Sequence, residues 1–253
     1  MNFKEFYRRA LYYLTVPKCV CCDEILDLDD RALCKNCIKD YQNIKQSNCS
    51  LCSFVMSRCI CSNAYLESHF VKRLVKVFRY KSPNGPNDRI AANELIYNIK
   101  RDLRRDILDF LTDELIDALS ASIDYNGFVV TNVPRKRSRT LKYGHDHSEC
   151  IARQLADKLG LEYVKLLVSN SAKPQKKTRG AERLRNAKFD YVKTPADIKG
   201  KRVLLVDDII TTGASVGNCA TLIHGLGAKE IVGVAVSVAY RDKYVPFAKD
   251  PFK

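Results

Sequence analysis

The sequence predicts an α/β protein, a mainly parallel sheet flanked by helices, with a small cysteine-rich module ahead of it. Three observations carry this. Short apolar runs alternate with segments of helical period through the second half of the chain, the pattern of strands joined by crossover helices. Nine of the eleven cysteines fall between Cys19 and Cys61, a composition shift that marks a separate unit. The apolar run Val203 to Val206 ends in two carboxylates and a small, hydroxyl-rich loop.

Taken in order, Phe3, Phe6, Tyr7, Ala10, Leu11 and Leu14 recur at helical spacing, which predicts an amphipathic helix within residues 1–16, ended by Pro17. So short a helix is read as packing against its neighbour rather than lying on a membrane. Residues 17–64 then form the cysteine module, and residues 65–245 the larger domain. A basic, aromatic segment, Val71 to Lys81, leads to a turn at Ser82 to Pro86. Ile90, Leu95, Ile99, Leu103, Ile107, Phe110, Leu111 and Leu115 keep near-helical period, so helices are expected across 88–121. The alternating part follows: strand Phe128–Val133, helix 145–159, strand Tyr163–Val168, strand Val203–Val206, helix 215–226 and strand Ile231–Ala239. Residues 169–190, crowded with cations around Pro174 and Gly180, read as a mobile surface loop.

Composition excludes some classes. With 253 residues, 46% hydrophobic and 28% charged, the chain can bury a core. No apolar run approaches the roughly 18 residues a spanning helix needs, so an integral membrane protein is not expected. Arg8 and Arg9 interrupt the stretch where a secretory signal would be apolar, so a cytoplasmic location is expected and the cysteines should be thiols.

Those cysteines come in pairs: Cys19/Cys22, Cys34/Cys37, Cys49/Cys52 and Cys59/Cys61. Zinc needs four soft ligands at tetrahedral corners, and a tight turn carrying two thiolates, closed by a second such turn, supplies them. The pairs make two four-cysteine sites and leave Cys21 over; a crossed arrangement, in which alternate pairs share an ion, stays open. With four protein ligands and no open position, such ions are structural and supply folding free energy to a segment with little core of its own.

Asp207-Asp208-Ile209-Ile210-Thr211-Thr212-Gly213-Ala214-Ser215 follows the apolar strand and opens a helix. Backbone N–H groups, hydroxyls and the positive helix end can converge there on a phosphate, while Gly213 lets backbone approach closely. The carboxylates repel phosphate and are placed instead to accept from sugar hydroxyls or to hold a bridging Mg2+ through water. No Gly-x4-Gly-Lys-[Ser/Thr] occurs and no Gly-x-Gly-x2-Gly follows a strand, which disfavours P-loop nucleotidases and dinucleotide sites.

This stretch resembles the 5-phosphoribosyl 1-pyrophosphate (PRPP) signature of type I phosphoribosyltransferases. The resemblance implies that Asp207 and Asp208 contact the ribose hydroxyls, and that Thr211, Thr212, Gly213, Ala214 and Ser215 hold the 5-phosphate. Together with the leading cysteine cluster, Val133-Pro134, Pro174-Gln175, Glu182-Arg183 and Asn186, it is similar to the ComF/GntX family of bacterial proteins associated with DNA uptake. A double zinc ribbon followed by a type I phosphoribosyltransferase-like domain is the fold this implies. Lys142-Tyr143-Gly144-His145-Asp146-His147 stands where that family usually has Arg-Gly-Phe-Asn-Gln, and Lys142 replaces a bidentate fork with a point charge.

Arg135, Lys136, Arg137, Arg139 and Lys142 are placed for the pyrophosphate, with residues 169–190 closing over it. Pro134 to Asp190 holds 15 Lys plus Arg against 6 Asp plus Glu, so +9 of the net +14 sits there. That excess fits single-stranded DNA, with Lys173, Lys176, Lys177, Arg179, Arg183 and Arg185 tracking phosphates. Two functions follow. One is an accessory factor in DNA uptake that binds single-stranded DNA, works beside uptake-machinery proteins and retains a donor site. The other is a Mg2+-dependent phosphoribosyltransferase with an unknown acceptor.

Overall fold

The computed structural model describes residues 16–83, 89–169, 189–193 and 196–239, and of Arg137 and Arg139 only the backbone. The helix expected over 1–16, most of the turn at Ser82 to Pro86 and nearly all of the loop expected over 169–190 lie outside the described residues.

A five-stranded sheet organises the chain, in the order β1 (Arg73–Arg79), β7 (Glu230–Val238), β6 (Arg202–Ile210), β2 (Phe128–Asn132), β3 (Glu162–Tyr163). Every neighbouring pair in it is parallel. The helices are α1 (Lys35–Lys45), α2 (Ala64–Ser68), α3 (Ala91–Arg101), α4 (Arg105–Ser120), α5 (Arg137–Tyr143), α6 (His147–Leu159) and α7 (Ala214–Gly225). Along β6 and β7, neighbouring residues feed two different cores. Leu204, Val206, Val232 and Val234 face one side with α3, α4 and α6, while Val203, Leu205, Ile231 and Ala235 face the other with α7.

The two cysteine sets are wrapped around edge strand β1 rather than standing apart. Cys19, Cys34 and Cys37 pack with Val75, Val77 and Phe78, and Cys49 and Cys59 pack with Leu74 and Leu66 in the other core. Covering the edge in this way protects a row of backbone groups that would otherwise be open to pairing.

Several sequence expectations change. The segment Val71–Lys81, read only as basic and aromatic, contains strand β1, buried along five consecutive positions. Lys76 is buried within it, because its long stem crosses apolar surface to backbone carbonyls at its tip. The helices expected across 88–121 are α3 and α4, parted at Asp102–Arg104, where Leu103 has φ +45. The single strand expected over Tyr163–Val168 is two: β3 edges the main sheet, and β4 (Leu167–Ser169) pairs antiparallel with β5 (Phe189–Tyr191). Strand β6 runs on through Asp207 and Asp208 to Ile210, held by β7 as far as Val238. The charge run after Pro134 contains α5, closed by Gly144 at φ +77.

Candidate phosphate and metal sites

β6 carries Asp207 and Asp208 to the carboxyl end of the sheet, where ligands of open parallel sheets bind. Thr211 and Thr212 then turn the chain. Gly213, at φ +87, caps α7, and its carbonyl accepts from the Gly217 N–H at 2.8 Å. Thr212 Oγ1 accepts from the Ala214 N–H at 3.3 Å, which fixes the loop from inside. Asp207 and the run Ile209 to Val216 line a cleft that opens to solvent. A helix begins with unpaired N–H groups and a partial positive charge, so the cleft has donors to offer an anion.

The two carboxylates differ. Asp208 is 7% exposed, and its Oδ2 takes His147 Nε2 at 2.8 Å and Lys100 Nζ at 3.2 Å. Burial works against its charge, but His147 and Lys100 outweigh that and hold the carboxyl below the usual carboxylate range. Burial, reinforced by the Asp208 charge beside it, pushes Asp207 well above that range. The Asp207 side chain accepts from the Asp208 N–H at 2.9 Å, and Ser148 Oγ lies 3.5 Å away. One carboxylate is thus locked in the protein and its neighbour sits on the cleft wall.

The pyrophosphate-side residues of the sequence reading separate. Arg135 joins the acidic pair indirectly, since its guanidinium contacts His147 Nδ1 while its backbone N–H donates to Asp146 Oδ2 at 2.7 Å. A guanidinium only donates, so Nδ1 accepts and the ring N–H is on Nε2, the nitrogen 2.8 Å from Asp208 Oδ2. Lys136 is exposed at the start of α5. Lys142 is exposed too, with Nζ 5.3 Å from the Tyr143 ring centre. Arg139 lies on α5. The six cations assigned to DNA, Lys173, Lys176, Lys177, Arg179, Arg183 and Arg185, lie outside the described residues. Lys100 and His147 were not assigned to the site from sequence. Neither lies near the signature along the chain. His145 Nε2 instead bonds the Ile99 carbonyl at 3.2 Å.

The cysteines assemble as Cys19, Cys22, Cys34, Cys37 and as Cys49, Cys52, Cys59, Cys61, with all sulfurs of a set within 4.8 Å of one another. Consecutive pairs therefore share a centre, and the crossed arrangement is not adopted. Two knuckles repeat one geometry. The Cys19 N–H donates to the Glu24 carbonyl and the Asp23 N–H back to Cys19; the Cys49 N–H donates to Phe54 and the Ser53 N–H back to Cys49. Asp23 and Ser53 both take left-handed φ, +63 and +61, where the turn reverses. Backbone N–H groups of Cys34, Leu51 and Cys61 point at Sγ of Cys19, Cys49 and Cys59, as thiolates require. A tetrahedral ion with metal–sulfur bonds of about 2.3 Å sets sulfurs about 3.8 Å apart. Cys22 and Cys34 Sγ are 3.6 Å apart, so the first set fits such an ion. Burial raises Cys49, but the N–H groups of Cys52 and Leu51 prevail and bring it down to about 7. Burial and the neighbouring sulfurs push Cys61 up to about 12. Four sulfurs this close ionise together when a cation holds them.

Residues 146–253 match the phosphoribosyl transferase domain family. Competence protein ComFC of Streptococcus pneumoniae is 26% identical over 214 residues, which cover 82% of this chain and 88% of that one. A ribose-phosphate pyrophosphokinase of Pyrococcus abyssi is 38% identical over 84 residues, 33% of this chain and 25% of that one. Among solved structures, an adenine phosphoribosyltransferase of Thermoanaerobacter pseudethanolicus superposes with a TM-score of 0.38 at 16% identity, covering 63% of this chain and 95% of that one. No helix among the described residues is long and apolar enough to cross a membrane.

Proposed function

We propose that this chain, a cysteine-ribbon module joined to a phosphoribosyltransferase-like domain, is a ComF-family protein that binds PRPP or a related phosphoribosyl ligand and serves DNA uptake by binding single-stranded DNA. The observation that carries the first half is the strand–loop–helix at Asp207 to Val216 with its open cleft. Thr211, Thr212, Gly213, Ala214 and Ser215 would surround the 5-phosphate, and Asp207 would accept from a ribose hydroxyl. Asp208, anchored by His147 and Lys100, holds the adjoining backbone in place rather than reaching the sugar itself. Mg2+ carried with the pyrophosphate would neutralise its charge, and Arg135, Lys136, Arg139 and Lys142 supply cations on that side. Zinc in the two cysteine sets is structural, because each set fills four positions with protein sulfur and keeps none for a substrate.

The DNA half rests on the +9 between Pro134 and Asp190, more charge than one small donor needs. A working transferase is the alternative, favoured by the intact acidic pair. Two measurements test these readings. PRPP with Mg2+ should raise the melting temperature as the ligand concentration passes its dissociation constant, and no shift at millimolar ligand would contradict donor binding. Oligonucleotide affinity should fall steeply as salt rises, and weak, salt-insensitive binding would contradict the DNA reading.

A further inference from the structure

The second cysteine set is physically continuous with the phosphate loop, and the first is not. Two residues beyond Cys61, Asn63 caps α2 by accepting the Leu66 N–H at 2.8 Å. Leu66 is fully buried and lies directly on Gly213: a Cβ added there would meet Leu66 Cγ at 3.0 Å. One turn further along α7, a Cβ on Gly217 would meet the Tyr65 ring at 2.8 Å and His69 at 3.2 Å. The loop and the first turn of α7 are therefore moulded against α2, with both glycines clearing the space. A second tie comes from β1. The buried Lys76 ammonium donates to the carbonyls of Cys59 at 3.1 Å, Cys61 at 2.8 Å and Leu74 at 3.1 Å. The Leu74 N–H in turn donates to the Ile60 carbonyl at 3.0 Å. Lys76 thus sets a positive charge beside a four-thiolate centre and fastens its ligands to the sheet. Cys19, Cys34 and Cys37 pack in the opposite core, away from α7.

We propose that the ion held by Cys49, Cys52, Cys59 and Cys61 sets the shape of the phosphate loop, acting through α2 and the contact of Leu66 with Gly213. This rests on the reading above that zinc fills the set and that the loop binds phosphate. Losing this ion frees residues 49–61, loosens α2 and removes the wall against which Thr211 to Ser215 are folded. Losing the first ion leaves the loop unchanged. By linkage, a ligand that tightens the loop also tightens zinc in the second set.

Amide hydrogen exchange at residues 211–217 of the full chain tests this without any ligand. Cys59→Ser with Cys61→Ser should lose one zinc and speed exchange there by about tenfold or more, whereas Cys19→Ser with Cys22→Ser should lose one zinc and leave those amides unchanged. Leu66→Ala keeps all eight ligands, so it covers the case in which the first variant fails to fold. It should retain two zincs and still speed exchange at 211–217. Unchanged exchange in Leu66→Ala, equal acceleration by both cysteine variants, or a wild-type second set without zinc would overturn the proposal. Inorganic pyrophosphate titrated into the same proteins separates the two readings. Failure of the wild type to bind it counts against the phosphate assignment, while the exchange data still decide the coupling.

Discussion

Replacing His147 with Ala removes the closest partner of a buried carboxylate. Asp208 is 7% exposed and His147 3%, so water cannot take over the 2.8 Å bond between them. A hydrogen bond to a charged group contributes about 1.5–3 kcal/mol. The emptied ring volume and the loss of an acceptor for Arg135 add to that, so the expected loss is about 2–4 kcal/mol at pH 7. His147→Gln can still donate to Asp208 and should lose about half as much. Denaturant unfolding at fixed slope measures both. The pH dependence has a definite sign. Asp208 has a folded pKa below its unfolded value, so its contribution is present above the ordinary carboxylate range and lost as pH falls through the folded value. The gap between wild type and His147→Ala should therefore be full at pH 7 and narrow below about pH 4. A loss under about 0.5 kcal/mol, or a gap that widens in acid, would refute the reasoning.

Asp207 carries the opposite sign. Its folded pKa is raised, so the stability it contributes is present below the unfolded value and lost as pH rises through the folded one. Thermal unfolding should show Asp207→Asn more stable than wild type at pH 8 and level with it near pH 3, the cost of a ligand-facing carboxylate. Gly217→Ala, which pushes a methyl into Tyr65 and His69, should cost about 1–3 kcal/mol in the same assay. Metal analysis of purified protein should find two zincs per chain, and strong chelation should abolish protection of the backbone between residues 17 and 61.

What the sequence revealed depended on distance along the chain. The cysteine pairs and the run from Val203 to Ser215 were readable because each builds its geometry within a few residues. The partners of Asp208 were not, because Lys100 on α3 and His147 on α6 meet it only when those helices pack on the sheet. Lys76 misled for a related reason. A cation inside an apolar stretch reads as surface, and only the Cys59 and Cys61 carbonyls make its burial tolerable. The two-strand split after Tyr163 was hidden because β4 finds its partner in β5, beyond the cationic segment. Local pattern marked both candidate sites; tertiary packing determines how the acidic pair and the second cysteine set are held.

Isothermal calorimetry with PRPP and Mg2+, comparing wild type with Asp207→Asn plus Asp208→Asn, tests the central claim most directly. The expected result is one site per chain in the wild type and an affinity loss of at least about tenfold in the variant. Equal binding by both proteins, or none by the wild type, would contradict the assignment of this cleft to a phosphoribosyl ligand.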